Sequence, residues 1–323
     1  MTLLSVVAPS VPAHPREWDA TATLIRSTSM HRLWVGQSYG LDSTAMLARL
    51  AGRGLAVPCG SSVMVAGLTD PRRAAGEARS IAAMTGHPFL HGIGPGSRAV
   101  QHRLRPDEPA MRLDDLRRYV ETLRTELDPT RPGLLEPIAT PPVHVGLGVL
   151  RPRAAALAGE IADAWLSWMA PATYLAETIV PTVHAAAASH RRPAPHGMAM
   201  VAVGVDRPGR DRWAMAHLAV GGHIRQPHYR DAVRRSGIQI HDDYERTIAS
   251  LLRHRLFVYG TADEIADHLH ETYGAAGVDE IALMTIATTN LYGADATYED
   301  LADIEAAFAH RSSTSHVERR AHA

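Results

Sequence analysis

Lysine is absent from this sequence, so every one of its 33 basic side chains is an arginine. This absence excludes a lysine that forms a Schiff base and the phosphate-binding lysine of a P-loop. Cysteine is nearly absent too, because Cys59 is the only one, which rules out an internal disulfide and a cysteine metal cluster. Since 34 acidic residues leave a net charge of −1, nothing electrostatic favours binding to nucleic acid or to a membrane surface.

Long hydrophobic runs are also missing. The apolar start, Met1 to Ala13, has no basic flank and is too short to span a bilayer. We therefore interpret Leu3–Ala8 as a buried strand and expect a cytoplasmic protein. With 323 residues, 46% of them hydrophobic, the chain can bury one large core.

Eight short apolar runs alternate with helical segments, and no connection between them has the pattern of a tight β-hairpin. Parallel strands need helical crossovers, so the alternation predicts a (β/α)8 TIM barrel rather than an open doubly wound sheet. The predicted strands are Leu3–Ala8, Arg32–Gly36, Val57–Gly67, the run from Phe89 into a glycine-rich turn, Val143–Gly148, Ala164–Trp168, Met198–Val205 and Ile281–Met284.

Two connections are too long for simple crossovers. Gly94 to Ala110 is a loop rich in glycine, proline and arginine, and Arg207 to Leu256 is largely helical in pattern. We therefore predict insertions after strands four and seven, in a single domain that covers residues 1–309. Residues 310–323 are polar and unpatterned, which predicts a disordered tail.

Several common chemistries lack their sequence patterns. His268 and His270 are two residues apart on a predicted helix, hence on different faces, and no metalloprotease motif occurs, so we expect no metal site. Gly92–Gly96 lacks the third glycine and the later acid of a nicotinamide-binding fingerprint. Gly60-Ser61-Ser62-Val63 lacks the second glycine of a hydrolase nucleophile elbow.

The stretch from Val57 to Ser97 combines small residues at one strand end with repeated glycines after the next strand, so a flat or phosphorylated ligand could approach the backbone. In sequence order, this stretch and its flanks resemble the bacterial luciferase-like superfamily of flavin and deazaflavin oxidoreductases, whose fold is a (β/α)8 barrel with insertions. The resemblance lies in Leu33-Trp34-Val35, Gly60–Val63, His91–Gly96, Pro142–Gly146 with Ala158–Ala164, Gly260–Ala266 and Gly277–Ile281.

The resemblance implies a cis peptide bond between Ser62 and Val63, in a bulge of strand three that presses on the central ring of the cofactor. It also implies a set of residues that line the cofactor site: Gln37, Ser62, Val63, Gly94, Pro95, Gly96, Gly146, Leu147, Gly148, Ser167 and Trp168.

At a few positions this sequence differs from the family pattern, and these differences reduce the number of reactions to expect. The sugar-phosphate dehydrogenase branch has an acid-then-His pair after strand two and a Glu after the glycine-rich turn, where this chain has Gln37-Ser38 and Ser97. Without that base, alcohol oxidation is disfavoured. Together with the Ser-Val bulge, this implies a reductase that uses the deazaflavin coenzyme F420 to donate a hydride to a C=C or C=N bond.

The substrate would be a biosynthetic intermediate or a modified peptide, and Tyr39, His14 and Ser38 are the candidate proton donors. Two alternatives stay open at this point. One is an FMN-dependent monooxygenase of the same fold, and the other is a non-catalytic barrel that serves as a subunit or binding protein. Members of the family commonly form homodimers, so the resemblance implies a homodimer as one possible assembly, although the sequence does not set the oligomeric state.

Overall fold

Eight parallel strands close into a barrel in the computed structural model, which describes residues 2–131 and 138–321, with side chains as far as residue 311. Strands β1 to β7 follow one another around the ring, and β9 closes it by pairing with both β7 and β1. The TIM barrel is therefore confirmed. The strands are β1 Leu3–Val7, β2 Leu33–Val35, β3 Cys59–Val65, β4 Phe89–Gly94, β5 Val143–Gly148, β6 Ala164–Ser167, β7 His196–Val205, β8 Phe257–Gly260 and β9 Glu280–Met284.

Strand β8 lies outside the ring, and the sequence did not predict it. It pairs in parallel with the outer half of β7, from Ala202↔Phe257 to Val205↔Gly260, where β7 extends beyond its partner β6. Because β7 is ten residues long and β6 only four, the free edge of β7 is available for this extra strand. The predicted eighth strand, Ile281–Met284, corresponds to β9.

The helices cover the outside of the barrel, and within the described residues none is long and apolar enough to cross a membrane. The last helical segment consists of two helices that meet at Gly293, where the backbone is not helical, with φ 90° and ψ 177°. Its backbone continues to Ala321 and so includes most of the segment predicted to be a disordered tail, while the boundary at residue 309 stays a prediction. The helices are Asp19–Ser27, Ser43–Gly52, Pro71–Thr85, Arg98–Leu104, Leu113–Leu127, Pro152–Ile161, Ala172–Tyr174 continuing through Leu175–Ile179 into Val180–Ser189, Arg212–Ala216 continuing through His217–Gly221 into Gly222–Ile224, Pro227–Arg235, Tyr244–Arg253, Ala262–His268 continuing into Leu269–Gly274, and Ile286–Ala321.

Both long connections lie at the carboxyl ends of the strands. The one after β4 is not an irregular loop throughout, because Arg98–Leu104 is a short helix whose first turn is capped by Ser97, with the Oγ atom accepting a hydrogen bond from Val100 N at 3.1 Å. The one after β7 contains several helices, of which Pro227–Arg235 lies nearest the barrel mouth. These insertions cover the end of the barrel at which TIM-barrel enzymes place their chemistry.

The barrel interior is filled by large side chains in layers. Trp34, Leu90, Leu166 and Met198 pack together with Ala164 and Ala282, and all of them are buried. Val63 and Met200 lie against this cluster from the carboxyl-terminal side and are only partly buried. Because this layer fills the barrel, a ligand can enter only above Val63.

Candidate active site

A cavity of about 860 Å³ opens above this top layer, between the ends of β3 to β7 and the two insertions. Its floor is Ser62 and Val63, with the Gly94–Gly96 turn on one side and Gly148, Ser167 and Trp168 on the other. Further apolar residues from the β4 connection, Met111, Leu113 and Leu116, complete one wall. The volume lies within the range of sites that bind cofactors or drug-sized molecules.

The floor is a bulge in β3. The pairing of β3 with β4 shifts register between Ser61 and Met64, and the peptide bond between Ser62 and Val63 is cis, as predicted. The bulge directs the side chain of Val63 into the space between two facing glycines. A Cβ atom on Gly94 would lie 2.8 Å from Val63 Cγ2, and one on Gly148 would lie 3.3 Å from Val63 Cγ1. Glycine at both positions therefore leaves room for Val63.

Three buried polar atoms in the cavity wall have no hydrogen-bond partner among the described residues: Arg151 Nε, which is ion-paired with Asp231, and the Oγ atom of Ser167 and the Nε1 atom of Trp168, which have no charged partner. Ser167 is 2% exposed and Trp168 is 9% exposed. Buried donors in native proteins are nearly always paired, because an unpaired one costs about 1–3 kcal/mol. The wall is therefore prepared for the polar atoms of a ligand.

The mouth of the cavity is cationic. Arg98, Arg151 and Arg235 line it, and Asp231 is the only carboxylate that lines it among the described residues. The Oδ2 atom of Asp231 lies 2.8 Å from Arg151 Nε and 2.9 Å from Arg235 Nε. The hydrogen bond from Arg235 is the largest cause that lowers the pKa of Asp231, and the charge of Arg151 adds to it. The excess of guanidinium groups suits an anionic ligand.

The family comparison decides what kind of barrel this is. The family model described as luciferase-like monooxygenase matches residues 3–280. The chain belongs to the luciferase-like family. It is accordingly an oxidoreductase, and no curated protein matches its sequence.

Several solved structures have a fold similar to that of this luciferase-like chain. An F420-dependent secondary alcohol dehydrogenase bound to an F420–acetone adduct has a TM-score of 0.73 and 16% identity, over 94% of this chain and 99% of that one. The coenzyme F420-dependent tetrahydromethanopterin reductase from Methanopyrus kandleri has a TM-score of 0.72 and 15% identity, over 94% and 97%. EDTA monooxygenase from Chelativorans sp. BNC1 has a TM-score of 0.70 and 12% identity, over 96% and 94%. At these identities the likeness establishes the fold alone.

Most of the residues predicted to bind the cofactor do lie around the cavity of this luciferase-like barrel, and three do not. The side chain of Gln37 points behind β3, away from the cavity, and accepts a hydrogen bond from Val65 N. Gly146 lies one layer deeper, where a Cβ atom would be 2.8 Å from Leu90 Cδ2. Leu147 is 1% exposed and packs in the outer core. The predicted residues that line the cavity are Ser62, Val63, Gly94, Pro95, Gly96, Gly148, Ser167 and Trp168.

The structure places the three predicted proton donors outside the lining of this cavity. Tyr39 is 63% exposed. The exposed His14 accepts a hydrogen bond from Arg16 N at its Nδ1 atom, at 3.2 Å, and Ser38 Oγ accepts one from Gly40 N, also at 3.2 Å. All three belong to the loops after β1 and β2, on the opposite side of the barrel mouth from β5 and β6.

The insertion after β7 instead supplies ionisable groups that the sequence analysis missed. His228 and Tyr229 line the cavity, and the ring of His223 lies 5.3 Å from that of Trp168 and 5.2 Å from that of Tyr229. Burial lowers the pKa of His223 to about 4 and raises the pKa of Tyr229 to about 12. Both groups are therefore neutral near pH 7, and Tyr229 keeps its proton.

Proposed function

We propose that this luciferase-like oxidoreductase uses reduced coenzyme F420 to reduce a C=C or C=N bond in a small-molecule or peptide substrate. The observation that carries the proposal is the shape and charge of the cavity. Its floor is formed by Val63 between two glycines, and arginines line its mouth. A tricyclic ring fits such a floor, because the nearest side-chain atoms to an added Cβ at both Gly94 and Gly148 belong to Val63.

Each group of residues has a distinct part in holding this cofactor. Val63 would support one face of the ring, so that the other face is left for the substrate. Ser167 Oγ and Trp168 Nε1 would donate hydrogen bonds to the oxygen and nitrogen atoms at the ring edge, which supplies the partners that they lack. When bound in its reduced form, the deazaflavin supplies the hydride.

The charges at the mouth favour F420 over FMN. FMN ends in one phosphate, whereas F420 carries a phosphodiester followed by glutamate carboxylates and is thus the more anionic ligand. Among the described residues of the cavity wall, Arg98, Arg151 and Arg235 outnumber the carboxylates, of which Asp231 is the only one. A guanidinium pairs well with both phosphate and carboxylate, so the mouth suits a tail that contains both groups.

Two polar groups of the same wall are poor proton acceptors for alcohol oxidation, which leaves His228, whose pKa burial lowers, as the candidate acceptor among the described lining residues. Asp231 is paired with two arginines, and its lowered pKa makes it a weak base. The hydroxyl of Ser97 caps a helix. The phenol of Tyr229, by contrast, holds a proton at its Oη atom throughout the neutral range, because burial raises its pKa to about 12. A protonated phenol in the wall suits a reduction, because the substrate takes up a proton after it has accepted the hydride.

Anaerobic titration with each cofactor tests the proposal. We expect F420 fluorescence to be quenched on binding, with FMN at least tenfold weaker, a difference of about 1.4 kcal/mol. Arg235→Gln should weaken F420 more than FMN, because it removes one cation from the mouth, and Arg253→Gln, on the remote helix Tyr244–Arg253, is the matched control. Tighter FMN binding would indicate the monooxygenase instead. Binding of neither cofactor at millimolar concentration would favour the non-catalytic barrel.

A further inference from the structure

Among the described residues, no strand pairs with the carboxyl-terminal end of β3 on the side of β2. Strand β2 pairs with β3 only from Leu33↔Cys59 to Val35↔Ser61, and it ends at Val35. Strand β3 continues for four more residues, through the bulge to Val65. On its other edge β4 still follows it, with Met64↔Ile93 and Val65↔Gly94 in register. Backbone groups on the β2 side of this segment therefore need another partner.

Gln37 provides that partner from the loop after β2. Its Oε1 atom accepts a hydrogen bond from Val65 N at 3.2 Å, and its Nε2 atom donates one to Ser38 O at 3.1 Å. The bond to Val65 N joins the end of β3 to the loop after β2, and the bond to Ser38 O, on the adjacent residue, fixes the orientation of the Gln37 amide. Gln37 borders a pocket of about 50 Å³ with Met64 and Val65, and it does not line the large cavity.

Small displacements of this segment matter because of how tightly Val63 is held. Its two methyl groups lie where added Cβ atoms on Gly94 and Gly148 would be at 2.8 Å and 3.3 Å. Val63 is two residues from the amide that Gln37 binds. A shift of a few tenths of an ångström at Val65 would therefore change the floor on which the ring rests.

We propose that Gln37 is a positioning residue: it replaces the missing strand beside β3 and thereby fixes Val63 under the cofactor without touching it. This replaces the expectation that Gln37 contacts the cofactor. The inference deepens the proposed function, because the ligand that benefits is the one proposed for the cavity. The position of Val63 can nonetheless be measured in the ligand-free protein.

Gln37→Met tests the role by keeping the length of the side chain and removing both hydrogen bonds. In the ligand-free protein we expect the Val65 amide to exchange with solvent at least about tenfold faster, because its acceptor is lost. The methyl resonances of Val63 should shift, and the Kd for F420 should rise about tenfold. The exposed Gln239→Met is the matched control and should change none of these values.

Gln37→Glu gives a pH signature that a merely structural role would not give. An ionised carboxylate accepts from Val65 N but cannot donate to Ser38 O, whereas a protonated carboxyl does both, as the amide does. The Val63 shifts should therefore return to the parent values as the pH falls through the carboxyl pKa, ordinarily about 4.3, whereas the Val65 amide keeps its acceptor and stays protected in both forms. Asp42, Glu77 and His91 border the same small pocket, so each measurement is referred to the parent at the same pH.

The outcomes separate this inference from the proposed function. If Gln37→Met leaves Val65 exchange or the Val63 resonances unchanged, or if exchange rises equally throughout the barrel, Gln37 does not position the floor. Unchanged F420 affinity in a variant with shifted Val63 resonances would also contradict the role. A parent protein that binds no F420 would overturn the proposed function, and the Val63 and Val65 measurements would still decide the part of Gln37.

Discussion

Gly94→Ala is expected to weaken F420 binding about 100-fold, equivalent to about 2.7 kcal/mol. The added Cβ atom would lie 2.8 Å from Val63 Cγ2, closer than such atoms approach in real proteins. Val63 would have to move toward the space of the ring, because the core below it is filled by Trp34 and Leu166. Fluorescence titration gives the Kd, and circular dichroism shows whether the barrel has folded.

Alanine substitutions at two other glycines, Gly148 and Gly67, are expected to weaken F420 binding less than Gly94→Ala does. A Cβ atom on Gly148 would lie 3.3 Å from Val63 Cγ1, a contact that a small adjustment relieves, so Gly148→Ala should weaken binding only about tenfold. At Gly67, in the turn after β3, an added Cβ would have no atom of the described residues within 4 Å, and Gly67→Ala should bind as the parent does. A folded Gly94→Ala variant with parental affinity would show that the ring does not rest on this floor.

Glu280→Gln is expected to lower the free energy of unfolding by about 3–5 kcal/mol, because it breaks a buried ion pair and leaves its cation behind. Glu280 is 0% exposed at the start of β9, at the end of the barrel opposite the cavity. Its Oε1 atom lies 3.2 Å from Arg32 Nε and accepts hydrogen bonds from Ser5 Oγ at 2.5 Å and Trp34 Nε1 at 2.6 Å. Its Oε2 atom lies 2.9 Å from His196 Nε2. Thermal unfolding measures the loss.

The pH dependence of this effect has a definite sign. Burial by itself raises the pKa of Glu280, but the hydrogen bond from His196 and the charge of Arg32 outweigh it, so the pKa lies below its usual value. A lowered pKa means that the stabilisation is present above the unfolded value, about 4.3, and is lost as the pH falls through the folded value. Glu280→Gln should lack this acid-dependent part.

An exposed ion pair is the matched control. Glu108 pairs with Arg105 at 2.8 Å, and both side chains are about half exposed. Glu108→Gln should therefore cost less than about 1 kcal/mol. If the two variants lost equal stability, the buried carboxylate would not have the role that its contacts imply.

The sequence was sufficient for the ring of strands and for the floor of the site. Alternating apolar runs and helices predicted the barrel, and the resemblance to the luciferase-like superfamily supplied the cis bond at Ser62–Val63 and the glycine turn. Strand β8 was missed because it is a ninth strand that pairs outside the ring, directly after a long helical segment, and the eight predicted strands already close the barrel. A short run carries no periodicity that distinguishes it from the helical insertion before it.

The other residues of the site could not be predicted, because their positions depend on how distant parts of the chain pack together. Gly146 and Gly148 both face the barrel interior, but only Gly148 lies at the layer of the cavity. The direction of Gln37 follows from the point at which β2 ends relative to β3. His228, Tyr229 and Arg235 reach the cavity only because the insertion folds back over it, and a helical pattern does not show which face turns inward.

A crystal structure of the chain with F420 would test the central claim most directly. We predict the deazaflavin ring against Val63 between Gly94 and Gly148, with Ser167 Oγ and Trp168 Nε1 within hydrogen-bond distance of its polar edge and the anionic tail near Arg151 and Arg235. A ring bound elsewhere, or a cavity that stays empty at saturating F420 while FMN occupies it, would contradict the account.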